Sequence, residues 1–303
     1  MSKAAELAAL IGSQSSLSNR NLIINPSGAV DQRGGSSTIN AYSVDRWRSF
    51  GGPGGFTISQ RTDAGEGDGH AIRFHRTSGD TQTNNMGIGQ GLETVNSKRL
   101  AGKTLTVSFR ARVGADWSPT SIDVRVYHGT GTDENPVSMT GQDSISAVSP
   151  SSLTSSFQTF TGTVTIPASK TQITLGFNWS PIGTAGTNDY IDIREVQLEI
   201  GEQATPFEHR SYGDELAACQ RYYQIGKVAA TGRADGGTMG GAATFATAMR
   251  ASATMAVTST TGAHYAGSPT LTGSVEGVLI TSPVNGTTNN AYRQVTFSAD
   301  AEL

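Results

Sequence analysis

Apolar and polar positions alternate with a period of two through most of this chain. In LTVSFRARV, Leu105, Val107, Phe109, Ala111 and Val113 fall on one side, and Thr106, Ser108, Arg110 and Arg112 on the other. Successive side chains of a strand point to opposite faces, so this is the pattern of a half-buried strand. IDVRVY repeats it with Ile122, Val124 and Val126 inward, and QITLGFNW repeats it with Ile173, Leu175, Phe177 and Trp179. In YIDIREVQLEI the apolar phase runs through Ile191 and Ile193, then skips to Val196, Leu198 and Ile200, which predicts a bulge near Arg194–Glu195. Strands of this kind, separated by turns and with no helices between them, predict antiparallel sheets packed as a sandwich from Leu22 to Ile200.

The pattern changes in two places. Residues 1–12 are alanine-rich with Leu7, Leu10 and Ile11 on one helical side, followed by the Ser/Gln/Asn-rich linker GSQSSLSNRN. A helix this short is marginal alone, so it either frays or docks on a partner. The second break is ATPFEHRSYGDELAACQRYYQ. Pro206 cannot continue a central strand, and Ser211 with Asp214 has the spacing of a helix-capping box. Tyr212, Leu216, Cys219 and Tyr223 then recur at helical spacing, predicting a joint or subunit interface. After Gln224 a second β region follows, richer in Gly, Ala and Thr. The expected division is an N-terminal helix and linker over 1–20, a sandwich over 21–208, a connecting helix over 209–225 and a smaller β domain over 226–303.

Composition narrows the function. The 303 residues are 36% hydrophobic and 16% charged, with 37 glycines, which fits short strands joined by many turns. A net charge of −3, with no Lys/Arg run longer than Lys98–Arg99, offers no field for a phosphate backbone and argues against nucleic acid. Cys219 stands alone, so no intrachain disulfide forms. The opening MSKAAELAALIG has too short and too interrupted an apolar run for a signal peptide or a membrane span, and no membrane insertion is expected.

Several segments carry a family resemblance. NLIINPSGAVDQRG, YSVDRWR, LAGKTLTVSFRARVGADWSP, GTGTDE and AMRASAT, with the joint segment QLEIG..ATPFEHR.YG.EL..CQRYY as the most specific part, resemble bacteriophage tail-fibre or minor tail proteins. Their large domain is similar to the jelly-roll carbohydrate-binding modules. The resemblance runs from about Asn21 onward. It implies a virion protein, assembled in the host cytoplasm, whose sandwich either recognises a bacterial surface polysaccharide or is merely structural; the apolar side of residues 1–12 is expected to join it to other tail proteins. It also implies a homo-oligomer, with trimers common in such fibres. Jelly-roll sugar-binding modules often hold a structural Ca²⁺ near the last strand, for which Asp189 and Asp192 offer hard oxygen ligands; no other cofactor is expected.

His70 and His75 stand five apart on a strand, hence on opposite faces and poorly placed for zinc. GIGQG at Gly87–Gly91 and GTGTDE at Gly129–Glu134 lack the ending and context of a phosphate loop and are expected to be loops or bulges. Asp189, Asp192, Glu195 and Glu199 crowd one strand, which does not set two carboxylates roughly 5–10 Å apart across a glycosidic bond. With no GxSxG elbow either, a glycan-degrading enzyme is disfavoured.

Glycan binding requires less: an aromatic face for a sugar ring and hydrogen-bonding groups around it. The outward phases carry Arg73 and His75, Arg110 and Arg112, and Asp123, Arg125 and Tyr127, on strands that could neighbour one another. Trp117, in the GADWSP turn, is either an exposed platform or a plug at one end of the sandwich, whereas Trp47 and Trp179 belong to the core. The candidate sugar-binding set is therefore Trp117, Arg125, Tyr127, Arg110 and His75. Against an adhesin stands a purely structural fibre or adaptor without a ligand. An accessory sugar-binding module of a bacterial enzyme is a more distant alternative.

Overall fold

The computed structural model describes residues 19–36, 38–52, 54–65, 67, 69–232, 237–285 and 290–303. The expected docking residues Leu7, Leu10 and Ile11 lie outside them. The chain divides into two compact units, one reaching to Tyr212 and the other spanning Gly213–Glu302.

The first unit is a β-sandwich. Its strands are β1 (Arg48–Gly51), β2 (Phe56–Arg61), β3 (Ala71–Arg76), β4 (Met86–Gly91) and β5 (Thr104–Val113). They continue with β6 (Asp123–Gly129), β7 (Asp143–Val148), β8 (Gln158–Thr165), β9 (Gln172–Trp179) and β10 (Tyr190–Ile200). One five-stranded sheet has the order β1-β4-β9-β6-β7 and the other β2-β3-β10-β5-β8, and every pairing is antiparallel. The inward phases of both sheets form one core. Phe74 of β3 meets Trp179 of β9 edge-on at 4.9 Å, and Phe109 of β5 meets Phe177 of β9 at 5.0 Å. Each such buried aromatic contributes roughly 1.5–3 kcal/mol of transfer free energy. Trp47 is fully buried and donates its indole N–H to the Asn25 carbonyl at 2.8 Å.

The predicted bulge is present. The β10–β5 register shifts between Arg194 and Gln197, and Glu195 adopts a φ of 50°. Beyond β10 the resemblance-bearing segment folds back on the start of the sandwich. Glu199 accepts from the Thr205 amide at 2.9 Å and hydroxyl at 2.6 Å, and Gln197 accepts from the Glu208 amide at 2.9 Å. Glu208 in turn accepts from the Asn21 amide at 2.7 Å, and Arg210 donates to the Ile23 carbonyl at 3.0 Å. The polar letters of QLEIG..ATPFEHR thus form a clasp between the first and last segments of the unit.

Two expectations are corrected here. Gly87–Gly91 is not a loop but lies in β4, in register with β1 and β9; glycine has no side chain with which to display an alternation. The helix Tyr212–Gln220 ends before Tyr223, which opens the next strand. Its buried residues are Glu215 and Cys219, joined by Tyr222 just past its end, while Tyr212 is 60% exposed and Leu216 half-exposed. Of the expected face Cys219 is buried, whereas Tyr212 and Leu216 remain partly or largely exposed in the single chain.

The second unit holds β11 (Tyr223–Gly232), β12 (Thr238–Thr244), β13 (Thr254–Ala263), β14 (Thr270–Gly273), β15 (Gly277–Pro283) and β16 (Ala291–Asp300). They form an antiparallel sheet of order β13-β16-β11-β12-β15-β14 over a small core that includes Val228, Met239, Ile280, Val295 and Phe297. Among the described residues no helix is long and apolar enough to cross a membrane.

Candidate functional site

The outward side of the β1-β4-β9-β6-β7 sheet is floored by glycine. Gly87 and Gly89 of β4 and Gly176 of β9 all point outward, and aromatic rings occupy the space that their side chains would fill. A Cβ on Gly87 would stand 2.8 Å from the Phe50 ring, and one on Gly89 3.1 Å from it. A Cβ on Gly176 would stand 2.8 Å from the Tyr127 ring and 3.3 Å from that of Phe50. Phe50 thus leans from β1 across β4 toward β9, and Tyr127 leans from β6 to meet it, their centroids 6.4 Å apart at 75°. Each ring covers backbone with one side and remains part-exposed.

A polar network borders the rings. Tyr127 Oη donates to Asn178 Oδ1 at 2.7 Å, and Asn178 Nδ2 donates to the Asp123 carbonyl at 3.0 Å. Arg125 donates to Asp123 Oδ2 at 2.7 Å and to Ser144 Oγ at 3.1 Å. Asp123 Oδ1 accepts from Ser146 at 2.5 Å and Ser149 at 3.1 Å. Burial works against the Asp123 charge, but the hydrogen bonds from Ser146, Arg125 and Ser149 outweigh it and hold the carboxyl below its ordinary pKa. Burial raises the Tyr127 pKa, with the Asn178 hydrogen bond opposing, so the phenol remains a neutral donor across the physiological range.

Two hollows open over this surface. One, of about 420 Å³, includes Thr120, Asp123, Arg125 and Ser144; the other, of about 300 Å³, includes Phe50, Pro136 and Gln142. Both are lined by Asn85, Tyr127 and Asn178, so they form one groove with Tyr127 at its middle. A part-exposed ring pair with fixed donors and acceptors on either side suits a ligand that is apolar on one face and hydroxylated at its edges.

The structure separates the residues expected to act together. Arg125 and Tyr127 line the groove, but His75 on β3 and Arg110 on β5 belong to the other sheet, because β6 neighbours β9 and β7 and not β5. There the outward side is a closed ionic cluster. Asp192, fully buried, accepts from Arg73 at 2.6 and 2.8 Å and from Arg112 at 2.9 Å. Burial opposes the charge of Arg73, but the Asp192 carboxylate outweighs it and raises the pKa. The Arg73 guanidinium lies 3.6 Å over the Tyr190 ring and that of Arg112 4.6 Å over Phe157, with Arg110 3.7 Å from Glu195 Oε1. His75 Nε2 is 3.0 Å from the Thr187 carbonyl oxygen. Trp117 is part-buried against the core, its ring 5.7 Å from that of Trp179, and lines neither hollow.

The acidic residues are likewise engaged. Asp189, buried, accepts from Arg76 at 2.7 Å. Arginine guanidinium groups thus face both members of the expected calcium pair, while Asp189 Oδ1 is buried without a hydrogen-bond partner among the described residues. Among the described residues no group of three or more His, Cys, Asp and Glu is arranged to hold a metal ion. Glu195 is 3.1 Å from Arg194 Nε, and Glu199 is taken up in the clasp with Thr205.

Phe50, Asn85 and Asn178 were not singled out by sequence. Phe50 sits on a four-residue strand too short for an alternation, and Asn178 lies in the outward phase of a strand whose core phase dominates its reading. The signal that was available is the run of glycines at every second position of β4.

No protein-family model and no curated protein matches the chain. Solved structures do match it in outline. The C-terminal family 22 carbohydrate-binding module of Clostridium thermocellum Xyn10B is 14% identical, covering 58% of this chain and 99% of that one, with a TM-score of 0.39. The CBM22-1–GH10 modules of the same xylanase, in complex with xylohexaose, are 10% identical, with 62% of this chain and 30% of that one covered and a TM-score of 0.41. The enzymatically active domain of tailspike protein 4 from bacteriophage CBA120 is 14% identical, with 60% and 21% covered and a TM-score of 0.38. These are likenesses of coarse shape, and the chemistry of this groove is argued from its own residues.

Proposed function

We propose that the first unit binds a saccharide chain in the Phe50–Tyr127 groove and performs no reaction on it. The observation that carries this reading is the aromatic pair laid on a glycine floor beside a fixed Asn178–Asp123–Arg125 network. The carboxylates near the last strand are taken up by arginines or by the clasp, which leaves no free acid and base pair there.

The finer reading is a subunit of a phage tail appendage that recognises a bacterial surface polysaccharide. The support for it is the joint segment QLEIG..ATPFEHR.YG.EL..CQRYY, whose polar letters make the clasp described above. Repetition of a weak sugar site in a homo-oligomer raises avidity by roughly 10²–10⁴ without new contacts. The test is an array of bacterial surface polysaccharides probed with the full chain. Retention of some of them, with no release of reducing ends, is expected. Retention of none, or progressive cleavage, would overturn the proposal.

A further inference from the structure

One row of paired residues crosses the outward side of the β1-β4-β9-β6-β7 sheet. Arg48 of β1 pairs with Gly89 of β4, Gly89 with Gly176 of β9, and Gly176 with Arg125 of β6. Directly paired residues of neighbouring strands share a side of the sheet, so Arg48 lies on the groove side, two positions before Phe50. Two arginines thus flank the glycine floor, and the Phe50 and Tyr127 rings rest on the glycines between them.

The two arginines are not equivalent. Arg125 donates to Asp123 and Ser144, so its charge is answered within the protein. Arg48 is only 8% exposed, yet among the described residues no carboxylate stands within salt-bridge distance of it, and its Nη1 is buried without a hydrogen-bond partner. Burial lowers its pKa, with Tyr42 opposing, but a guanidinium keeps its proton throughout the physiological range. A buried charge without a counter-charge is costly, and such charges are ordinarily paired. The charged residues that line the two hollows are Asp123 and Arg125, which satisfy each other, so Arg48 leaves this side of the sheet with one positive charge unanswered.

We propose that the saccharide held in this groove is acidic, and that Arg48 takes its carboxylate or phosphate. The inference rests on the groove reading above and names the chemical class of its ligand. A guanidinium presents planar, paired donors to either anion, and a charge-assisted hydrogen bond is stronger than a neutral one. To test it, each polymer of the polysaccharide array is presented to the full chain twice, as isolated and after carbodiimide and borohydride reduction. That treatment turns every uronic carboxylate into a primary alcohol and keeps rings and linkages. The polymers retained should be uronic or phosphorylated. Reduction should cost a uronic polymer about tenfold in retention and leave a phosphorylated one unchanged, which tells the two anions apart. Arg48→Gln should lose about the same on the acidic polymer and nothing on its reduced form. Retention of the acidic polymer should also fall as sodium chloride is raised. Loss of an unpaired buried charge should not lower the unfolding temperature; if Arg48→Gln does not fold, Arg48→Met and the salt series decide. Equal retention of acidic, reduced and neutral polymers would overturn the inference and leave the groove reading standing. So would an Arg48→Gln variant with the wild-type preference. Retention of none would overturn both.

Discussion

Tyr127 and Asn178, on the neighbouring strands β6 and β9, are joined by a 2.7 Å hydrogen bond from the phenol to the side-chain carbonyl. Asn178 spends its own N–H on the Asp123 carbonyl, so the bond fixes the ring against the sheet and links it to the charged end of the groove. Removing the acceptor by Asn178→Ala should leave the core intact but free the ring to rotate. Saccharide affinity should fall by about tenfold, the equivalent of roughly 1.4 kcal/mol. Calorimetric titration checks this, and an unchanged affinity would show that the ring needs no anchor.

The glycine floor makes a graded prediction. In Gly176→Ala the new methyl would meet the edges of the Tyr127 and Phe50 rings, which can tilt away. In Gly87→Ala it would lie 2.0 Å from the Phe177 carbonyl oxygen, which is backbone and cannot. Gly176→Ala should therefore weaken binding with little change in unfolding free energy, whereas Gly87→Ala should lose about 1–3 kcal/mol of stability. Chemical denaturation of both variants measures the difference, and equal stability losses would contradict the ring placement.

Arg76 holds several loops at one end of the sandwich. Itself buried, it donates to Asp189 at 2.7 Å, to the Gln82 carbonyl at 2.9 Å and to the Gly183 carbonyl at 3.2 Å. Arg76→Met would leave the Asp189 carboxylate buried without its partner and should cost on the order of 3–5 kcal/mol. Asp189→Asn in the same chain should recover part of it. Thermal unfolding of the single and double variants decides, and a harmless single substitution would show that the charge reaches water.

His128 predicts a pH dependence. It is 1% exposed on β6, and neither ring nitrogen has a hydrogen-bond partner among the described residues. Burial lowers its pKa, the Lys170 charge adds to this, and Asp143 opposes. The folded state thus keeps the imidazole neutral where the unfolded chain already binds a proton. This contribution to stability is complete above about pH 6.5, the ordinary histidine value, and is lost progressively as pH falls below it toward the folded pKa. Between pH 8 and pH 5 wild type should lose more unfolding free energy than His128→Leu. Parallel losses would show that the histidine is protonated without penalty.

The strands that build the core were legible because Val107, Phe109, Val126 and Phe177 keep a strict alternation, and the bulge at Glu195 was legible as a break in it. The groove was harder to find. Alternation assigns a side chain to one face of its strand but does not say which sheet the strand joins, so Arg110 and His75 were grouped with residues of the opposite sheet. Glycine leaves no trace in a hydrophobic pattern, which hid both β4 and the floor it provides for Phe50. Trp117 could be placed only by its packing on Trp179, a contact between distant segments.

The central claim is that the Phe50–Tyr127 pair is the platform for a sugar. Affinity electrophoresis in gels containing a polysaccharide retained by wild type tests it directly, with Phe50→Ala and Tyr127→Ala set beside Arg112→Lys on the opposite sheet. The account predicts that each groove variant loses retardation by about tenfold or more while remaining folded, and that Arg112→Lys migrates like wild type. Full retardation of both groove variants, or its loss only when Arg112 is changed, would contradict it.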